Sequence, residues 1–117
     1  QDIYKIGQTL ASLREKQILI IGSGSITHNL RELAWNGQSS AVPTWASEFR
    51  NYVVSQLHHN NYDAVLDWQS LPHVQQNHPS LEHLVPLFFA MGTGARFNIV
   101  HSSFSMGSLG MDIYRFD

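Results

Sequence analysis

The apolar positions of the first sixteen residues recur at helical intervals. Ile3, Ile6, Leu10 and Leu13 fall three and four apart, which predicts an amphipathic helix over Asp2–Lys16. The spacing then collapses. Ile18-Leu19-Ile20-Ile21 is an unbroken apolar run, mostly β-branched, and predicts a strand buried on both faces, as in a parallel sheet. Gly22-Ser23-Gly24-Ser25 ends it. Helix, buried strand and glycine turn form the grammar of an α/β fold, in which ligands gather beyond the carboxyl ends of strands. His28 stands just past such an end.

Asn29–Trp35 suits a short helix, followed by a polar turn through Asn36-Gly37-Gln38-Ser39-Ser40. Pro43 suits the first turn of a helix, whose apolar face is Trp45, Phe49, Tyr52, Val53 and Leu57. His58-His59-Asn60-Asn61 breaks that pattern. Tyr62–Leu71 reads as another short helix, stopped by Pro72, and His73–His78 as polar loop. Pro79-Ser80 opens a further helix running through Leu84, Phe88 and Met91 to Gly92, with Pro86 expected to kink its first turns. Phe97–Val100 and Met111–Phe116 suit strands. They flank the Ser/Gly-rich stretch Ser102–Gly110 and predict a hairpin or two neighbouring strands. One parallel-type strand and a terminal pair do not complete an α/β sheet, so further strands must come from elsewhere. No internal repeat or low-complexity linker interrupts the 117 residues.

Composition sharpens this picture. Apolar residues make up 43% of the chain but charged residues only 14%, against about a quarter in a typical soluble domain. Part of the surface is therefore expected to be covered by something else. A net charge of −2 with seven Lys and Arg offers no basic stripe for nucleic acid. Cysteine is absent, which removes disulfides, thiolate zinc sites and a cysteine nucleophile. No apolar run approaches a membrane span and no signal pattern opens the chain, so the expected location is the cytoplasm.

Seven histidines stand out, because imidazole is both a common metal ligand and the side chain that titrates near neutrality. The turn before His28 lacks the Lys-Ser/Thr of a Walker A motif and the third glycine of a dinucleotide fingerprint. It either exposes His28 at a cleft or lets it cap the next helix. His78 and His83 are five apart with Pro79 between them, unlike the i, i+4 pair that grips one metal from a helix. His83 by spacing alone is a core histidine or a ligand. Glu82 adjoins it but points about 100° away on a helix. His58 and His59 follow a helix end, where imidazole pairs with free carbonyls, and they read with His73 and His101 as surface residues. Trp35, Trp45 and Trp68 read as core or interface. No serine sits in a G-x-S-x-G context.

Three segments together resemble one family. Ile18–Leu33, ILIIGSGSITHNLREL, resembles the strand-turn-His element of DODA-type extradiol aromatic ring-opening dioxygenases, within the superfamily of the protocatechuate dioxygenase catalytic subunit. Pro79–Gly92, PSLEHLVPLFFAMG, resembles the family's Pro-x-x-Glu/Asp-His-x-x-Pro-Leu element, and Ser105–Gly110, SMGSLG, its terminal Met-Gly-Ser-Leu strand. Order and spacing fit across essentially the whole chain. The resemblance implies the C-terminal portion of a mixed-sheet α/β fold with flanking helices, residues 1–117 being the C-terminal part of one catalytic domain. It implies a mononuclear non-haem Fe(II) or Zn(II) site, with His83 as a metal ligand. His28 is then the active-site histidine near the metal, as acid/base or as a further ligand. The implied partners are a catechol-type aromatic and O₂, with cleavage of the ring beside its two hydroxyls.

Two further histidine ligands of the family lie in an N-terminal half, in a His-Gly-Ser-Pro-like turn and an Ala-His-Trp-like strand end that are absent here. The expectation is half a metal site, completed by that missing half and inactive without it. Two rival readings remain: a non-catalytic binding module on the same fold, and a zinc-dependent hydrolase with Glu82 as its only nearby carboxylate.

Overall fold

Residues 1–36 and 41–117 are described by a computed structural model of the chain. In order it runs through helices α1 (Asp2–Leu10), α2 (Thr44–His58), α3 (Tyr62–Leu66), α4 (Val74–Asn77) and α5 (Val85–Met91), then strands β1 (Phe97–His101), β2 (Phe104–Ser105), β3 (Leu109–Gly110) and β4 (Ile113–Phe116). The polar turn expected at Asn36–Ser40 falls, from Gly37 on, outside the described residues.

The core is built on one face of α2. Phe49, Val53 and Leu57 are fully buried at spacings of four, together with Ala46. They pack among Val65, Leu71, Val74, Leu84, Phe88, Met91, Phe97 and Phe116, which joins every later helix and the terminal strands to one cluster. Trp45 and Tyr52, expected on the same face, lie at its margins: Trp45 is half-buried and Tyr52 exposed.

The N-terminal helix departs from its pattern. A tighter 3₁₀ turn over Ala11–Lys16 extends α1, so Asp2–Lys16 is helical as expected. Yet its isoleucine stripe does not face the core, and Ile6 remains 50% exposed. The reason is a close backbone crossing with α5. A Cβ on Gly7 would strike the Phe89 carbonyl oxygen, and one on Gly92 the Tyr4 carbonyl oxygen, so only glycine permits the approach. The glycine side of α1 docks and the isoleucine side is turned outward.

Ile18–Ile21 differs more. The run pairs with no strand among the described residues, and Leu19 and Ile21 are 82% and 73% exposed. A strand meant for burial on both faces has neither neighbour nor cover here. The α/β class stands, with the sheet incomplete. What sheet there is lies at the C-terminus: β1 pairs antiparallel with β4, Phe97 opposite Phe116, and the connection folds back as a smaller hairpin of β2 and β3. Met106 and Gly107 turn that hairpin with φ of 49° and 83°.

Two other expectations shift. Residues 79–84 form turns, and the helix begins only at Val85, with Pro86 in its first turn. Proline there removes an N–H that has no helical partner anyway, so no kink arises. Within His73–His78, read as loop, Val74–Asn77 winds one helical turn behind a left-handed His73.

Helix α2 is tied to the terminal strands by charge. Arg50 Nε donates to Asp112 Oδ2 at 2.7 Å, and the Asp112 side chain is wholly buried. Tyr114 Oη (2.7 Å) and the Ser103 N–H (3.1 Å) complete the carboxylate's shell. Desolvation first, then that hydrogen bond and the buried carboxylate, push the Tyr114 hydroxyl far above the ordinary phenol range. Removing Arg50 leaves a buried charge without its counter-ion, so Arg50→Met is expected to cost about 3–5 kcal/mol in urea unfolding. A loss below about 1 kcal/mol, the range of exposed ion pairs, would show that this pair does not hold α2 to the strands.

Candidate functional site

Three chain segments meet at one place. Residues 25–29, between the glycine turn and a short 3₁₀ turn at Leu30–Glu32, are bonded on one side to residues 76–83. The Ser25 N–H donates to the His83 carbonyl at 2.9 Å, the His28 N–H to the Asn77 carbonyl at 3.0 Å, and Asn29 Nδ2 to the Gln76 carbonyl at 2.7 Å. On the other side they are bonded to the small hairpin. Buried Thr27 donates through Oγ1 to the Ser108 carbonyl and accepts from the Gly110 N–H, both at 2.6 Å. Ser25 Oγ lies 2.9 Å from the carbonyls of both Thr27 and Gly110.

The glycines of the preceding turn serve this packing. A Cβ on Gly22 would stand 2.6 Å from the Pro86 carbonyl oxygen, and one on Gly24 would strike the His83 carbonyl oxygen. Close backbone approach, not a phosphate cradle, is what the glycines provide here.

This arrangement brings His28 and His83 together. Their rings stack with centroids 3.5 Å apart and planes 12° from parallel. Both are half-buried. Burial, and then the neighbouring His83 ring, lower the pKa of His28. The ring is therefore neutral at pH 7 with a lone pair available.

Glu82 does reach His83. Its Oε1 lies 3.7 Å from His83 Nδ1, too long for a hydrogen bond but close enough for charge to act. The expectation that it points away rested on helical geometry, and His83 sits in a turn. The same Oε1 accepts from Ser80 Oγ at 2.7 Å, and that bond is the main reason its carboxyl pKa is lowered.

His78 was legible only as loop, and it holds the site from beneath. It is 2% exposed. Its Nε2 lies 2.9 Å from the Ile26 carbonyl. A carbonyl only accepts, so Nε2 carries the proton, and the buried Nδ1 has no partner among the described residues. Burial lowers its pKa, and the neighbouring imidazoles add to the effect. The only sequence signal for this role was its place beside Pro79. The remaining histidines are on the surface as expected: His59 and His73 pair with the Ser55 carbonyl and Glu48, and His101 with Ser103. Trp35 is 65% exposed and so is not a core residue in this chain.

No group of three or more His, Cys, Asp or Glu converges among the described residues. His28, His83 and nearby Glu82 offer nitrogen and oxygen donors of the kind that suit iron or zinc, but only part of a coordination shell. His83, Ser25 and Ile26 also stand at the edge of a cleft of about 730 Å³ between residues 17–26 and 112–117. No helix of the described residues is long and apolar enough to cross a membrane.

Comparison with known proteins agrees on one family. The family model described as the catalytic LigB subunit of aromatic ring-opening dioxygenase matches residues 1–117. The 4,5-DOPA dioxygenase extradiol of Beta vulgaris is 34% identical over 97% of this chain and 43% of its own length. The protein of the same description from Escherichia coli K12 is 31% identical over 92% of the chain and 42% of its length. A crystal structure of an uncharacterised protein from Escherichia coli K12 superposes with a TM-score of 0.85 at 29% identity, covering 97% of this chain and 49% of that one. The chain thus spans less than half the length of the curated relatives it matches.

The tie from His78 has a measurable consequence. His78→Leu leaves the Ile26 carbonyl without its buried donor and is expected to lower stability by about 1–3 kcal/mol. Acid should act in the same direction. His78 and His28 have folded pKa values below 6.5. Between the lowered value and about 6.5 the unfolded chain binds more protons, so stability is full above that window and falls as pH drops through it. Urea midpoints at pH 7.5 and pH 5.5 should show this decline, and His78→Leu should flatten it. An unchanged slope in the variant would remove His78 as its source.

Proposed function

The chain belongs to the family of the catalytic LigB subunit of aromatic ring-opening dioxygenase, and on that premise we propose that it is the C-terminal part of the catalytic domain of an extradiol dioxygenase. The substrate class is a catechol-type aromatic, opened with O₂ beside its two hydroxyls. The names of the relatives support a DOPA-like catechol. The observation that carries the reading is the stacked pair of His28 and His83, brought together by bonds among separate chain segments, with His83 lining a cleft.

His83 would hold the metal, and His28 would stand beside it. The metal, Fe(II) or Zn(II), supplies the Lewis-acid and, with iron, the redox chemistry of the reaction when bound. Glu82 lies near Nδ1 of His83, where its charge acts on the ring without a hydrogen bond. His28 would suit the acid/base role better than that of a second ligand, because its ring lies face to face on that of His83. Neutral at pH 7, it can take a catechol hydroxyl proton and later return it. Glu82 favours the protonated form of His28, and burial favours the neutral one. That balance suits a group which must cycle. Glu82 is engaged with Ser80 and His83, which argues against its activating a water as in a hydrolase.

The ligands that two histidines do not supply would come from the remaining length of the protein, the part that the relatives have and this chain does not cover. The 117 residues alone are accordingly expected to be inactive.

The test is oxygen uptake by the full-length protein, loaded separately with Fe(II) and Zn(II), on DOPA and simpler catechols. Replacing His28 by Gln should lower turnover by about 10²–10⁴-fold with metal content retained. Replacing His83 by Ala should lower metal content and activity together. Wild-type rates in both variants would refute the assignment.

A further inference from the structure

The cleft beside His83 is floored by one face of α5, with Pro86, Leu87 and Ala90, and walled by two chain edges. One wall is the consecutive run 17–26, and the other is consecutive too, residues 112–117 of β4 and its flanks. In a strand alternate residues point to opposite faces, so unbroken runs mean that the backbones themselves line the space. Both edges are open. β4 pairs with β1 along one side only. Residues 19–24 make no backbone hydrogen bond with any described residue. Their side chains are bare as well: Ile18, Leu19, Ile21 and Ile113 are all exposed.

We propose that this cleft is a docking slot for one β-strand from the part of the protein that lies outside these residues. The strand would pair with Ile18–Ile21 on one side and with β4 on the other. The proposal rests on the reading of the chain as part of a longer dioxygenase, and it names how the two parts join. The size agrees. A five-residue strand, rising about 3.3 Å per residue, about 4.8 Å from its neighbours and about 10 Å from sheet face to sheet face, fills roughly 800 Å³. The cleft offers about 730 Å³. That volume alone also suits a small molecule. A small molecule, however, leaves two rows of peptide groups unpaired, and unpaired buried peptide groups are rare. A second copy of this chain can present an edge to one wall but cannot enter between two. A strand flanked on both sides satisfies both rows. Because Ile18–Ile21 is apolar at every position, the occupant should also be apolar on both faces. The relatives carry more than half of their length beyond the matched region, which leaves room for such a segment.

Hydrogen–deuterium exchange, read by peptide mass, tests this on the 117-residue chain and on the full-length protein. The amides of residues 19–21 and the outer-edge amides of β4 should exchange freely in the chain alone. In the full-length protein they should slow by at least about tenfold. The β1–β4 cross-strand amides, protected in both, show that the chain is folded. Free exchange at residues 19–21 in a folded full-length protein overturns the proposal. So does protection that appears in the short chain on self-association. If the short chain does not hold its β1–β4 protection, Leu19→Cys in the full-length protein carries the test alone. Its labelling by a maleimide should be at least about tenfold slower than that of Lys5→Cys on exposed α1, and equal rates overturn the slot. Oxygen uptake on the same sample answers separately. Protection without activity leaves the slot and removes the catalytic reading; activity without protection does the reverse.

Discussion

The double strap on residues 25–29 is the interaction from which the rest of the site follows. Five residues with little regular structure of their own are bonded to the 76–83 turn on one side and to the β2–β3 hairpin on the other. The Ser25 and His28 N–H groups and the Ile26 and Thr27 carbonyls are satisfied by other parts of the chain. This is how a loop can be buried without the desolvation penalty of unpaired peptides. His28 inherits its position from that strap through the bond of its own N–H to Asn77. His83 does so through its carbonyl, which accepts from Ser25. The stack of the two rings is thus a result of backbone pairing, and it needs little attraction between the rings themselves.

Both sides of the strap depend on residues without reactive chemistry. Thr27 and Ser108 are buried polar residues whose hydrogen bonds close the hairpin side. His78, which has no open face, closes the other. The glycines at 22 and 24 allow the strap to lie against the His83–Pro86 turn at backbone distance. Small side chains and satisfied hydrogen bonds fix the site, and the catalytic candidates are carried on that framework.

The edge that precedes the strap is under-built. Ile18, Leu19 and Ile21 are exposed in a segment without strand partners, and the isoleucine stripe of α1 is turned outward. Each such side chain gains roughly 1.5–3 kcal/mol when it leaves water. This bare edge therefore represents a large unspent driving force for association. It also explains the low charge of the chain: surface meant for burial carries few charged residues.

The sequence alone determined the elements whose signals are local. Helical spacing marked α1 and the core face of α2, strand composition marked the β1–β4 pair, and the unbroken run Ile18–Ile21 announced a sheet that these residues do not complete. Its three motifs also singled out His28 and His83. Only the tertiary structure decided how they meet. The glycine crossing of α1 and α5 overrode the isoleucine stripe, because backbone approach depends on the partner helix as well as on the helix itself. The late start of α5 freed His83 from helical geometry and brought Glu82 against it. His78 became a buried tie because its partner, the Ile26 carbonyl, lies 52 residues away in sequence. Local pattern reports what a segment can form, whereas a site made of loop backbones bonded across the chain is fixed only once those segments are packed together.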